Sequence, residues 1–149
     1  MFNRETMKAT GKVKVVLKDA NGNIKEDFTV DNLVVDSGLD YIASRMKDAT
    51  ATAMSHMEVG TDNTAAASGD TALGSAVSSS RTALTSTTVT DNAVAYVCTF
   101  AAGTGTGALT EAGIFNASSA GTMLCRTVFS VINKGASDSM TVTWTVTIS

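Results

Sequence analysis

Alternation of apolar and polar residues is the clearest pattern in this chain, and it is strongest near the C-terminal end. Over residues 140–148 every second residue is apolar, and threonines occupy the positions between them. Successive side chains of a β-strand point to opposite faces of a sheet, so this segment predicts a strand with one face packed on a core. Trp144 lies on that apolar face, and we expect it to anchor the core rather than bind a ligand.

The same alternation recurs upstream and predicts a protein built mainly of strands. Residues 12–18 and 24–30 flank Asn21-Gly22, a pair typical of a hairpin turn. Further strands are predicted at 56–59, 81–90, 94–100, 109–115 and 123–131, which makes about eight in all. In 123–131, Val131 is assigned to the apolar face. Hairpin-like connections imply antiparallel sheets, so we predict an antiparallel β-sandwich, with a closed β-barrel as the alternative.

One short α-helix is predicted near residues 39–47. Ser37 precedes this segment and is the residue type that caps helix N-termini. Four apolar residues have the spacing of one helical face, namely Leu39, Ile42, Ala43 and Met46. We expect the helix to cover one end or one face of the sheets.

Two segments lack clear periodicity. Residues 1–9 are expected to form an N-terminal arm or a short lead-in to the first strand. Residues 61–80 are rich in Ala, Ser, Thr, Gly and Asp, and they predict a long surface loop with one helical turn near 70–74. Loops of this length are usually functional or mobile. The whole chain, residues 1–149, is interpreted as a single β-rich domain.

Composition narrows the classes of partner. The chain has 149 residues, 44% of them hydrophobic, so it can bury a core without metal ions or disulfides. Its net charge is −3, which disfavours direct binding to nucleic acid because such proteins usually carry an excess of Lys and Arg. No segment has the apolar length of a membrane-spanning helix, and no secretory signal is visible, so we expect a soluble protein made in a cytoplasm.

Candidate catalytic, phosphate and metal motifs do not meet the requirements of their chemistry. His56 is the one histidine and lies in a predicted strand, with no serine in the turn motif of hydrolases. The glycine-rich segment 103–107 lacks the lysine and the helix of a phosphate loop, so a β-turn is expected. Asp19, Asn21 and Asn23 resemble half of a calcium loop, but Val30 occupies the position that requires glutamate. We therefore predict no catalytic, cofactor-binding or metal-binding residues, and no enzyme activity.

Four further residues carry structural expectations. Cys98 and Cys125 fall on apolar strand faces without metal-site spacing, so buried free thiols are expected, with a disulfide between neighbouring strands as the alternative. Glu111 lies in the apolar run 109–115, where a buried carboxylate needs a partner, and Arg126 or Arg81 could supply one. Asn116 begins a glycosylation sequon, which we interpret as a polar turn.

Several segments resemble parts of virion structural proteins from tailed bacteriophages. The N-terminal hairpin with the following segment 32–39 is similar to the start of such proteins. The other matching segments cover most of the remaining chain: 60–62, 69–74, 81–84, 109–116, 123–129, 133–136 and 141–144. These motifs are structural rather than catalytic, so the resemblance indicates a class of protein more than a particular role.

The resemblance implies a virion component that is assembled in the host cytoplasm, binds other virion proteins and forms homo-oligomers. A capsid decoration protein that stabilises the shell through multivalent contacts is the leading expectation, because the chain shows no long repetitive shaft. The N-terminal arm and the loop 61–80 are the expected contact regions. A tail, collar or fibre-associated protein is the alternative. A receptor- or carbohydrate-binding module is a further one, although aromatic residues make up only 5% of the chain.

Overall fold

The protein is a sandwich of two five-stranded antiparallel sheets in the computed structural model, which describes residues 5–47 and 51–149. The strands are β1 (Ala9–Lys18), β2 (Ile24–Asp31), β3 (Leu33–Val34), β4 (His56–Gly60), β5 (Thr82–Ala83), β6 (Ser86–Thr90), β7 (Ala93–Phe100), β8 (Gly107–Phe115), β9 (Met123–Lys134) and β10 (Ser139–Ile148). One helix, α1 (Asp36–Ser44), follows β3.

The strand order is β2-β1-β10-β7-β6 in the first sheet and β3-β9-β8-β4-β5 in the second. The sandwich prediction is confirmed, because across the described ranges the sheets remain separate and do not close into a barrel.

The core lies between the two sheets and is built from their alternating apolar faces. β1 and β10 pair along their whole length, from Ala9 opposite Ile148 to Lys18 opposite Ser139. Trp144, on β10, is fully buried in the core cluster, which confirms its assignment as a core anchor. Cys98 and Cys125 are buried free thiols that reach this core from opposite sheets, as predicted, and they do not form a disulfide.

The predicted alternation fails in the middle of β9. Leu109 pairs with Ile132, whereas Glu111 pairs with Val128, so four steps along β9 match two along β8. Extra residues of this kind form a bulge that changes which side chains face inward. Ile132 is therefore buried and Val131 is 53% exposed, so its assignment to the apolar face was wrong.

The segment 81–90 does not form the single strand that its threonines predict. Thr82–Ala83 is β5 at the edge of the second sheet, and Ser86–Thr90 is β6 at the edge of the first. The chain crosses between the sheets at Leu84 and Thr85, whose amides donate to the carbonyl oxygens of Ser55 and Val97. Composition favours strand for both halves but carries no signal for the crossing.

The helix is earlier than predicted. α1 spans Asp36–Ser44, and Val35 rather than Ser37 precedes its first turn. The Ser37 hydroxyl instead donates to the carbonyl oxygen of Met123 on β9. The predicted apolar face is also only partly covered, since Leu39 is 45% and Met46 78% exposed, and α1 packs on β9 through the buried Gly38.

The predicted arm is shorter than residues 1–9. Ala9 begins β1, and Lys8 exchanges two backbone hydrogen bonds with Ser149, which fix Lys8 beside the end of β10. Residues 1–4 of the predicted arm lie outside the described residues.

Candidate functional site

The outer face of the second sheet is covered by the loop of residues 61–80, which we call the anchored loop. It joins β4 to β5 and contains no helical turn, so the turn predicted near 70–74 was wrong. On β8, Leu109 and Ile114 face the core between the sheets, whereas Glu111 and Phe115 face the loop. β8 is therefore buried on both sides, which explains why its sequence is a nearly continuous apolar run.

Glu111 holds the loop from below. Its side chain has no exposure to solvent, and its two carboxylate oxygens accept backbone hydrogen bonds from Asp62, Gly74 and Ser75 at 2.8–3.0 Å. One amide comes from the start of the loop and two come from its second half, so a single carboxylate holds residues 62 and 74–75 together. Backbone N–H groups bound to a carboxylate form strong, charge-assisted hydrogen bonds.

Arg126, on β9, is the ion-pair partner of Glu111, which confirms one of the two partners proposed from sequence. Its Nε donates to Glu111 Oε1 at 3.1 Å, and its Nη1 donates to Asp70 Oδ2 at 3.0 Å. Its Nη2 lies 3.9 Å from Asp62 Oδ2. One buried guanidinium therefore contacts the sheet carboxylate and two loop carboxylates.

The two loop carboxylates also fold the loop locally. Asp70 accepts the amide hydrogen of Ala67 at 2.9 Å, and Asp62 accepts that of Thr64 at 2.8 Å. The hydrogen bonds from Thr64, together with the nearby charge of Arg126, lower the pKa of Asp62 below its ordinary value. Sequence patterns did not identify Asp62 or Asp70, because both lie in a segment without periodicity and far along the chain from Arg126.

Arg81, the other proposed partner, forms a second ion pair on the same face. Its Nε lies 3.2 Å from Glu58 Oε2, and its guanidinium lies over the ring of Phe115 at 3.6 Å. It also donates to the carbonyl oxygens of Ala117 and Ala120. This pair secures the chain where the anchored loop ends and β5 begins.

Two glycines allow the loop to approach the sheet this closely. A Cβ atom added to Gly60 would lie 2.5 Å from Glu111 Oε2, and one added to Gly74 would lie 1.7 Å from Asp62 Oδ2. Both distances are too short for van der Waals contact. The ion network therefore requires the absence of side chains at these positions.

The exposed surface of the anchored loop has an unusual composition. Its exposed residues are small or uncharged: Thr61, Asn63, Thr64, Ala65, Ala67, Ser68, Gly69, Thr71, Ala72, Gly74, Ser75, Ala76, Ser78 and Ser79. The charged residues of the loop, Asp62 and Asp70, are directed to Arg126. The loop thus presents an uncharged surface of small side chains over a buried charged anchor.

A further buried charge, at Lys134, was also missed by the sequence patterns. Its side chain is 1% exposed, and Nζ donates to the carbonyl oxygens of Ala101 and Asp138. Burial lowers the pKa of Lys134, and the hydrogen bond from Lys25 holds the pKa of Asp138 below its ordinary value. These contacts tie the turn before β10 to the end of β7.

The other candidate residues serve local structure. The Nδ1 atom of His56 lies 2.7 Å from the hydroxyl of Ser55. Asp19 accepts the amide hydrogens of Asn21 and Asn23 and thereby shapes its own turn, and these bonds, led by that of Asn23, lower its pKa. Asn116 binds the amide of Thr122 across a polar turn, as predicted.

The turn predicted at 103–107 begins earlier in the structure: the Thr104 amide donates to the carbonyl oxygen of Ala101, and Gly107 is already the first residue of β8. Burial raises the pKa of the Cys98 thiol to about 12, and it raises that of Cys125 as well. Neither thiol is therefore a ready nucleophile.

Within residues 5–47 and 51–149 no group of three or more His, Cys, Asp or Glu side chains could hold a metal ion. Over the same ranges no helix has the length and apolar character to cross a membrane. Comparisons with protein-family models, curated proteins and solved structures found no match to this chain.

Proposed function

We propose that this chain is a structural protein of a tailed-bacteriophage virion, and that it decorates the capsid by binding shell subunits through the anchored loop. The observation that carries the proposal is the contrast within that loop. Its backbone is fixed by a buried ion network, whereas its exposed side chains are small and uncharged. Such a segment is suited to contact another protein.

A loop already held in one conformation binds with a smaller entropic cost than a mobile one. Ordering an interface costs about 0.5–1.5 kcal/mol for each side chain with many rotamers. Ala and Gly lose almost no side-chain entropy, and the anchored loop exposes many of them. The loop backbone is already ordered in the free protein by its contacts with Glu111 and Arg126, so binding a partner need not order it again. Both features favour a rigid docking surface.

The same surface favours a protein partner over a nucleic acid or a sugar. Phosphate backbones are bound by Lys and Arg, and sugar rings stack on aromatic side chains. The exposed part of the anchored loop carries neither type. Trp144 is fully buried, and Phe115 is covered by Arg81, so neither ring offers a stacking platform.

Decoration of a symmetric shell explains how such a modest surface would suffice. Each neutral loop supplies few strong contacts, but linked or repeated contacts on a lattice raise the overall affinity by orders of magnitude. The family resemblance supports a virion role and equally allows a tail or collar location. Copy number separates the two, since a decoration protein is present in hundreds of copies per particle and a tail protein in a few or a dozen.

The proposal is tested by rebinding purified variants to virions assembled without the chain. Ala72→Glu and Ser78→Glu each place a charge on the exposed loop without touching the ion network. A carboxylate trapped without a partner at an interface is costly to desolvate, so occupancy should fall about ten-fold or more.

Thr29→Glu is the matched control. Thr29 is also exposed, but it lies on β2 of the other sheet, so this variant should rebind like the wild type. Equal occupancy for all three variants would refute the loop as the docking surface. Failure of the wild-type protein to bind any particle would refute the virion role.

A further inference from the structure

β6 is an unprotected sheet edge. Within the part of the chain that the structure describes, it has a hydrogen-bonded neighbour, β7, on one side only. All five of its residues, Ser86–Thr90, are exposed, and none is charged. Four of the five residues are β-branched, and a strand of this kind with free backbone groups is a template for pairing with another strand.

The other three edges of the sandwich are blunted. β2 carries Lys25, Glu26, Asp27 and Asp31, and its pairing with β1 is interrupted by an irregularity next to Lys18. β3 and β5 have only two residues each. Charge, irregularity and shortness are the devices by which proteins prevent edge pairing, and β6 has none of them.

An apolar groove opens beside β6 on the inner side of the first sheet. Thr87 is opposite Tyr96 and Val89 is opposite Val94, so both β6 side chains share the face that the core residues of β7 use. The groove has a volume of about 360 Å³, and its wall across from β6 includes Ile42 and Met54. Val89 lies on its rim and is 69% exposed.

We propose that β6 pairs antiparallel with β6 of a second copy of this chain, about a two-fold axis at Thr88. This dimer is independent of the proposed virion function. The register places Thr88 beside its own symmetry mate, Thr87 beside Val89, and Ser86 beside Thr90. The first sheets of the two copies become one continuous sheet.

The occupant is a second copy because the strand is complementary to itself. No β6 side chain is charged, so none meets a like charge across the axis, whereas pairing of two β2 strands would bring Lys25, Glu26 and Asp27 against a second set of charges. Thr87 and Val89 of both copies then point to the same side, so the two grooves join. The exposed Val89 of each copy is thereby covered by the other, as an isologous interface requires.

The test is the mass of the protein in solution, measured by analytical ultracentrifugation on the full chain. Thr88→Lys places two ammonium groups opposite each other at the axis, and Thr88→Glu does the same with carboxylates. Because Thr88 is exposed, each variant should keep the wild-type circular dichroism spectrum. Each should show half the wild-type mass, and an equimolar mixture of the two should regain the full mass.

Thr29→Lys, on the other edge strand, is the control and should keep the wild-type mass. A monomeric wild type would overturn the proposal. So would a Thr88 variant that keeps the wild-type mass, or a mixture of the two variants that stays at half of it.

Discussion

Glu111 and Arg126 form a buried ion pair that is satisfied by an irregular loop rather than by regular structure. Removing charges from water is expensive, and the pair is tolerated only because further hydrogen bonds complete it. Glu111 receives three backbone amide hydrogens, and Arg126 reaches Asp70 as well. Loss of Glu111 therefore leaves three amides without their acceptor, and it leaves Arg126 with only the two partly exposed loop carboxylates.

We expect Glu111→Ala to reduce the free energy of unfolding by about 3–5 kcal/mol, because it leaves the Arg126 charge and three loop amides without their main partner. Urea denaturation at neutral pH measures this change. Asp27→Ala, an exposed carboxylate on β2, is the control and should change stability by less than about 0.5 kcal/mol. A Glu111→Ala protein as stable as this control would show that the ion pair does not hold the loop.

For single residues, the sequence predicted the partner of Glu111 within the sheet but not the partners in the loop. A glutamate inside an apolar run demands a partner, so Arg126 could be proposed from the pattern of β8 and β9. Asp62 and Asp70 could not, because their contact with Arg126 spans 64 and 56 positions along the chain. Nothing in an aperiodic loop indicates which carboxylate will fold back onto a sheet.

The helix α1 is held to the second sheet by backbone proximity rather than by a wide apolar face. A Cβ atom added to Gly38 would lie 2.1 Å from the carbonyl oxygen of Leu124. The Ser37 hydroxyl donates to the carbonyl oxygen of Met123, and the Val35 amide donates to that of Leu124. α1 and β9 therefore approach as closely as their backbones permit.

Gly38→Ala should destabilise the protein by about 1–3 kcal/mol, since the added methyl group forces the helix away from β9. Alanine is the better helix former, so a loss cannot come from helix propensity. Gly69→Ala is the matched control: nothing lies within 4 Å of its added Cβ atom, and its backbone has no positive φ. That variant should be stabilised by about 0.4–1 kcal/mol through the unfolded chain. Equal thermal midpoints for the two variants would contradict this account of the packing.

Strands with one face toward the core and one face outward were predicted well, because their buried residues alternate with a period of two in the sequence. β10 and β7 match their predicted segments closely, and the Asn21-Gly22 turn lies between β1 and β2. The errors fall where geometry departs from that rule. Because of the bulge in β9, Ile132 faces the core in place of the predicted Val131. The crossing at Leu84 and Thr85 divides one predicted strand between the two sheets.

The whole molecule carries two surfaces with different properties. The anchored loop covers the outer face of the second sheet, and β6 lies at an edge of the first sheet. Pairing through β6 leaves the loop free, so a dimer could present two loops at once. Two linked contacts bind a lattice far more tightly than one, so the proposed dimer would strengthen the proposed decoration of a shell. Neither proposal depends on the other.

Cryo-electron microscopy of the proposed virion, purified from the source of this chain, tests the central claim most directly. The account predicts density for the sandwich at the outer surface of the capsid, in hundreds of copies, with the anchored loop against the shell. Density confined to the tail in a few or a dozen copies would contradict decoration, and purified particles that lack the protein would contradict a virion role altogether.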